Sequence, residues 1–93
     1  MTAPSPQSAA WVPAARISVV SRDGCHLCDD VETIVARVAA DVGVTWERVD
    51  VDAHPELRAA YSDLVPVTLV DGRYLEHWRI TERKLRKAVR RRR

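Results

Sequence analysis

Ile17-Ser18-Val19-Val20-Ser21-Arg22-Asp23-Gly24-Cys25-His26-Leu27-Cys28 is the stretch on which the fold turns. Its β-branched start, closed by a polar segment with a glycine, reads as a buried strand running into a loop. From Cys25 the hydrophobic period changes. Leu27, Val31, Ile34, Val35, Val38, Ala39 and Val42 recur at the three- and four-residue spacing of one helix face, and Gly43 stands where a left-handed cap ends a helix. A second strand is expected over residues 44–51. Strand, helix and strand in so short a span make a βαβ unit, with parallel pairing and a right-handed crossover.

Downstream, His54-Pro55-Glu56 opens a short second helix with proline at its first position and an acid in its first turn, turning Leu57, Tyr61 and Leu64 inward. Pro66 ends it. Two further strands, 67–70 and 74–78, flank Asp71-Gly72, a two-residue hairpin signal that makes this pair antiparallel. Thr81 caps the last helix, with Ile80 and Leu85 spaced as a hydrophobic staple, and its apolar side is only Leu85, Ala88 and Val89. The order β-α-β-α-β-β-α predicts a four-stranded mixed sheet with helices on both faces, an α/β sandwich. The domain is expected over residues 15–90, behind a mobile leader at 1–14 rich in Pro, Ser and Ala, and before a basic tail at 91–93. Trp11 in the leader is expected to dock loosely or lie exposed.

The 93 residues suffice for one small domain, and two cysteines are too few for a disulfide scaffold. No run of about 20 apolar residues offers a membrane span, and prolines 4, 6 and 13 break any signal-like start, so a cytoplasmic, reducing location is expected. The net charge of +2 conceals an asymmetry. Residues 83–93 hold eight cations and no acid; the other seven cations face all thirteen acids, leaving residues 1–82 at −6. The basic run reads first as a helix end whose charge complements the dipole. A site for nucleic acid or an acidic partner is the second reading; nucleic acid is not expected, since no aromatic residues are interleaved with the run.

Cys25-His26-Leu27-Cys28 lies where the first strand hands over to the first helix, so free N–H groups and the helix dipole face Cys25 and favour a negative sulfur there. Lowering a thiol pKa by about two units makes thiolate the major form at neutral pH and corresponds to about 2.7 kcal/mol. Arg22 could add positive charge, whereas Asp29, Asp30 and Glu32 oppose it. His26, disfavoured as imidazolium at a helix N-terminus, is expected to tune reactivity rather than create it. Cys28, one turn on and more buried, suits a resolving thiol. Two other uses of the pair stand beside this one. A permanent staple closing so short a loop gains only about 2 kcal/mol. Zinc wants four ligands, and beyond the cysteines only His26, His54 and His77 are to hand, without ligand spacing; no metal is expected. The second element of the site is Val65-Pro66 directly before the third strand, where a cis bond would leave the Val65 backbone free to pair with an extended substrate.

Through Cys25-His26-Leu27-Cys28, Val65-Pro66-Val67 and Asp71-Gly72 the chain resembles the thioredoxin-fold superfamily, and within it the glutaredoxin-like proteins of the DUF836 type. The phrase 21–28, followed by Val49-Asp50-Val51-Asp52 and Leu57, carries that narrower likeness, from about Arg16 to Val89. The resemblance implies a thioredoxin-like fold, Cys25 as nucleophile, Cys28 as resolving thiol and Pro66 as a cis proline. Arg22, His26, Leu27, Val65 and Pro66 are expected to form the substrate-binding rim around the pair. The Gly-Gly and following Asp with which glutaredoxins hold the γ-glutamyl group are replaced here by Glu76-His77 and Arg79-Ile80. The implied activity is thiol-disulfide exchange on a protein or small-molecule disulfide. No resident cofactor is expected; glutathione, another low-molecular-weight thiol or a protein reductase supplies electrons to a soluble monomer. A non-catalytic binding module with a basic tail, or a redox sensor, are the rival readings. Trp46 and Trp78 are expected as core or rim aromatics.

Overall fold

The computed structural model describes residues 11–91. Its sheet has the order β2-β1-β3-β4, built from β1 (Ile17–Ser21), β2 (Trp46–Asp50), β3 (Val67–Val70) and β4 (Arg73–His77). β1 pairs in parallel with β2, Ile17 opposite Trp46 through Ser21 opposite Asp50, and antiparallel with β3, Val20 opposite Val67. β3 and β4 form the expected hairpin. Asp71 (φ 52°) and Gly72 (φ 79°) both take the left-handed backbone of a primed turn, the reason an Asp-Gly pair suits this position. A bulge between Thr68 and Leu69 shifts the register, so that Thr68 faces Glu76 and Leu69 faces Tyr74.

The strand alternation sorts side chains between two cores. Ile17, Val19 and Val70 face helices α1 (His26–Val42) and α3 (Glu82–Arg91), meeting Val31, Val35, Val38, Leu85 and Val89. Val20, Val67 and Leu69 face the other way, onto Val49, Val51 and Leu57, the last on α2 (Pro55–Tyr61). The mixed sheet therefore carries helices on both faces, as the element order predicts. β1 lies in the middle and is buried along its whole length, which is why its sequence shows no polar alternation.

Helix ends follow the local signals. Gly43 (φ 75°) ends α1, its N–H donating to the Ala39 carbonyl at 2.9 Å. Pro55 opens α2, and the Thr81 hydroxyl accepts the Lys84 N–H at 3.1 Å to cap α3. β4 runs one residue earlier than expected, leaving Trp78 outside it, and the larger departures are at β2 and α2. β2 is shorter than 44–51, because Asp50 folds its carboxylate onto the Asp52 N–H and starts a tight turn at Val51–Ala53. α2 stops at Tyr61, leaving Leu64 in the following turn with its N–H on the Tyr61 carbonyl. Of the expected leader, residues 1–10 lie outside the described residues, as do 92–93 of the tail. Trp11 is half-buried against the α2-side core, and the Ala14 N–H donates to Glu47 Oε2 at 2.8 Å.

Acids and cations tie α3 to the rest. Glu82 pairs with Arg37 of α1 and with Arg86; Arg86 also reaches Asp41 at 2.6 Å, and Lys84 pairs with Glu76 of β4. The hydrogen bonds from Arg37 and Arg86 hold the Glu82 carboxyl below its usual range, and Lys84 does the same for Glu76. A carboxyl lowered on folding stabilises the native state above its unfolded pKa and loses that contribution as pH falls through the folded value. Thermal stability should therefore decline below about pH 4.5. In Glu82→Gln the midpoint should fall by a few degrees at pH 7 with a flatter acid limb. Identical acid limbs in a pH series of thermal melts would show that Glu82 adds nothing.

Candidate functional site

The loop from β1 to α1 turns at Gly24, whose φ of 78° a side chain would strain, and delivers Cys25 to the N-cap of a 17-residue helix. Ser, Thr, Asp or Asn usually holds such a cap. Here the Cys25 sulfur takes that role, accepting the Cys28 N–H at 3.1 Å, while the Cys25 carbonyl accepts the Asp29 N–H at 3.2 Å. Cys25 and Cys28 are joined in a disulfide with Cα atoms 5.2 Å apart. They differ in access: Cys25 is half-buried, and Cys28 is 1% exposed beneath it. Between them His26 is exposed and Leu27 half-buried.

The sheet register brings the second element to the same end. Val20 opposite Val67 sets the start of β3 beside the end of β1, so Pro66 lies at the edge from which the cysteine loop departs. The Val65–Pro66 bond is cis, Pro66 is buried, and Val65 packs half-buried on the α2-side core. The Pro66 carbonyl accepts the N–H of Trp78 at 2.7 Å. Trp78, just past β4, has a φ of 64°, rare for a large side chain, and is 51% exposed. Its indole meets His77 edge-on at 4.8 Å, and His77 shares a hydrogen bond with the Tyr74 hydroxyl. Trp46, by contrast, packs half-buried against the α1-side core.

Electrostatics around the pair are arranged differently from a reading in which Arg22 serves the thiol. Arg22 makes a two-pronged pair with Asp52 at 3.0 and 3.1 Å and also donates to the carbonyl and hydroxyl of Ser62. The Asp52 hydrogen bond raises the Arg22 pKa and lowers that of Asp52. Arg22 thus clamps the loop to the turn after β2 and to the end of α2. The cation that meets the site's acids is Arg48, which local sequence reading missed. It reaches Asp23 in the cysteine loop at 2.8 Å and Glu32 on α1 at 3.2 Å, offsetting two of the charges that oppose a thiolate. Alternation along β2 puts Arg48 on the same face as Trp46, which packs on the α1 side, but does not name its partners. Asp29 and Asp30 stay exposed.

Beside the disulfide runs a groove of about 290 Å³ between α1, the end of β4 and the start of α3. Leu27, Val31, Ile34 and Ile80 make its apolar floor, with Asp30 on the α1 side and Arg79 on the opposite side. Leu27, which lies between the two cysteines in the chain, forms part of its lining. Among the described residues no helix is long and apolar enough to cross a membrane.

Comparison with known proteins agrees with this fold. The family model described as a glutaredoxin-like domain (DUF836) matches residues 16–90. The chain is 33% identical to the uncharacterized protein Rv0508 of Mycobacterium tuberculosis, over 76% of this chain and 78% of that protein. Among solved structures it is similar to protein XcR50 from X. campestris, with 30% identity, TM-score 0.65 and coverage of 81% of this chain and 96% of that one. A thioredoxin from Fasciola hepatica matches with 27% identity and TM-score 0.58, over 83% of this chain and 79% of that one.

Proposed function

Because the chain belongs to the glutaredoxin-like (DUF836) family and has the thioredoxin-like fold, with a cysteine pair that suits a redox role, we propose that it is a dithiol-disulfide oxidoreductase. One observation carries the reading: Cys25 Sγ is itself the N-cap of α1 and accepts the Cys28 N–H. On reduction a thiolate at that place keeps a backbone donor and the positive end of the helix dipole, both of which favour the anion. Arg48 supports it by drawing off Asp23 and Glu32.

The reaction balances within the pair. The Cys25 thiolate attacks one sulfur of a substrate disulfide, forming a mixed disulfide and releasing the other half as a thiolate that takes up a proton. Cys28, deprotonated, then attacks Cys25 Sγ, closes the intramolecular disulfide and expels the second half. Two electrons pass from the dithiol to the substrate. A low-molecular-weight thiol or a protein reductase restores them, with two protons, in a reducing cytoplasm; the protein works as a monomer without a resident cofactor. Substrate is held by the rim of His26, Leu27 and Val65; Pro66, whose side chain is fully buried, positions Val65 rather than touching substrate. Arg22 serves that rim indirectly, by fixing the loop through Asp52 and Ser62.

The test is a redox titration with a rate measurement. Purified protein equilibrated in graded dithiothreitol buffers and then alkylated should convert between no and two labelled cysteines in a single two-electron step. The reduced form should speed reduction of bis(2-hydroxyethyl) disulfide well above an equal concentration of free dithiothreitol. A pair that opens but gives no acceleration would overturn the enzyme reading and leave a sensor or a binding module.

A further inference from the structure

α3 carries more cations than the fold uses, and the structure sorts them. Leu85 and Val89 point into the core. On the two flanks Lys84 is held by Glu76, and Arg86 by Asp41 and Glu82. Arg83, Lys87 and Arg90 differ: at spacings of four and three they fall on the side opposite the core, are exposed, and have no ion pair among the described residues. They extend about 10 Å along the helix at 1.5 Å per residue. Arg79, also exposed and without an ion pair among the described residues, continues the row toward the cysteines, because it borders the groove that Leu27 floors. The row of unpaired charge thus begins at the groove that Leu27 also lines and leads away from it along α3.

From this placement we infer that Arg79, Arg83, Lys87 and Arg90 form the docking row for an acidic protein, which lays an acidic segment along α3 and an apolar side chain in the groove while presenting its disulfide to Cys25. The inference rests on the proposed oxidoreductase reading and names the partner for that site. A groove of about 290 Å³ is near the lower bound for drug-sized ligands and suits a single side chain. Asp30 on the opposite side of the groove sets the orientation, since it repels an acidic segment toward α3. The acidic character of residues 1–82 discourages the same partner from docking elsewhere. A protein partner is favoured over a lipid surface because the apolar side of α3 is buried and leaves nothing to insert. It is favoured over nucleic acid because no aromatic residue stands among the cations of α3 on which a base could stack.

Three disulfides decide the matter: a peptide disulfide flanked by Asp and Glu, the same peptide flanked by Lys, and uncharged bis(2-hydroxyethyl) disulfide. At low salt the wild-type kcat/KM should favour the acidic peptide over the basic one at least tenfold, and the preference should shrink as ionic strength rises toward about 0.5 M. The triple variant Arg83→Glu, Lys87→Glu, Arg90→Glu should invert it. Its three sites are exposed, and a thermal melt confirms that the variant is folded. Should the uncharged disulfide be turned over while both peptides react alike, the docking row is refuted and the oxidoreductase reading stands. Should none be turned over, the oxidoreductase reading fails, and the row is judged by binding. A cysteine-free acidic peptide followed by anisotropy must bind at least tenfold tighter to wild type than to the variant, or the inference falls. Displacement of that peptide by single-stranded DNA or by anionic phosphatidylserine vesicles at a lower charge concentration would assign the row to the other class and overturn the protein partner.

Discussion

Cys25→Ser should lower disulfide turnover by about a thousandfold or more, whereas Cys28→Ser should accumulate a covalent adduct between the protein and half of its substrate. The first change removes the nucleophile, and a serine hydroxyl, un-ionised at neutral pH, cannot replace a thiolate. The second leaves Cys25 at the helix N-cap, free to attack, but removes the thiol that expels the bound half. Intact-mass spectrometry after mixing with a peptide disulfide reads the difference: one adduct in Cys28→Ser, none in Cys25→Ser. Cys28 is 1% exposed, so its replacement by Ser buries a hydroxyl and should also cost about 1–2 kcal/mol of stability. Equal residual turnover in the two variants would show that the cysteines do not hold distinct roles.

Leu85→Ala should produce the largest loss of stability, about 2–5 kcal/mol. Leu85 is fully buried, among Ile17, Val19, Val31, Val35 and Val38, and together with Val89 it supplies the buried apolar contact of α3. The ion pairs around it are exposed and contribute much less. Since a small domain has about 5–15 kcal/mol in total, and each kcal/mol moves the midpoint of a 60–100-residue domain by about 4–8 °C, a drop of about 8 °C or more is expected. Urea unfolding measures it directly. A loss below about 1 kcal/mol would mean that α3 lies outside the cooperative core, and the charged row on its outer side would then have no rigid support.

The element order and the placing of Cys25 at the start of α1 were legible in the sequence because their causes are local. A β-branched run, a three-four apolar period, Gly43 and Asp71-Gly72 each act within a few residues, and each appears where its pattern places it. Where local reading fell short, a side chain chose among several local options. Asp50 turned back on the Asp52 N–H and cut β2 short of Val51. Trp78 took a positive φ that no turn motif marks, held by the Pro66 carbonyl across the hairpin. Arg22 is adjacent in sequence to the cysteine loop, which invites a role beside the thiol. Its guanidinium instead reached residues 30 and 40 positions away.

By itself the sequence determined the strand-helix-strand unit, the placing of Cys25 at a helix start and the two-sided sheet, since periodicity and capping depend on neighbours along the chain. Only the tertiary structure decided the charges. Arg48 meets Asp23 and Glu32, Arg86 meets Asp41, and the cations of α3 divide into those that brace the fold and those left facing outward. An ion pair forms between groups a few ångströms apart, and that proximity is set by strand order and register, which no local pattern in the chain encodes.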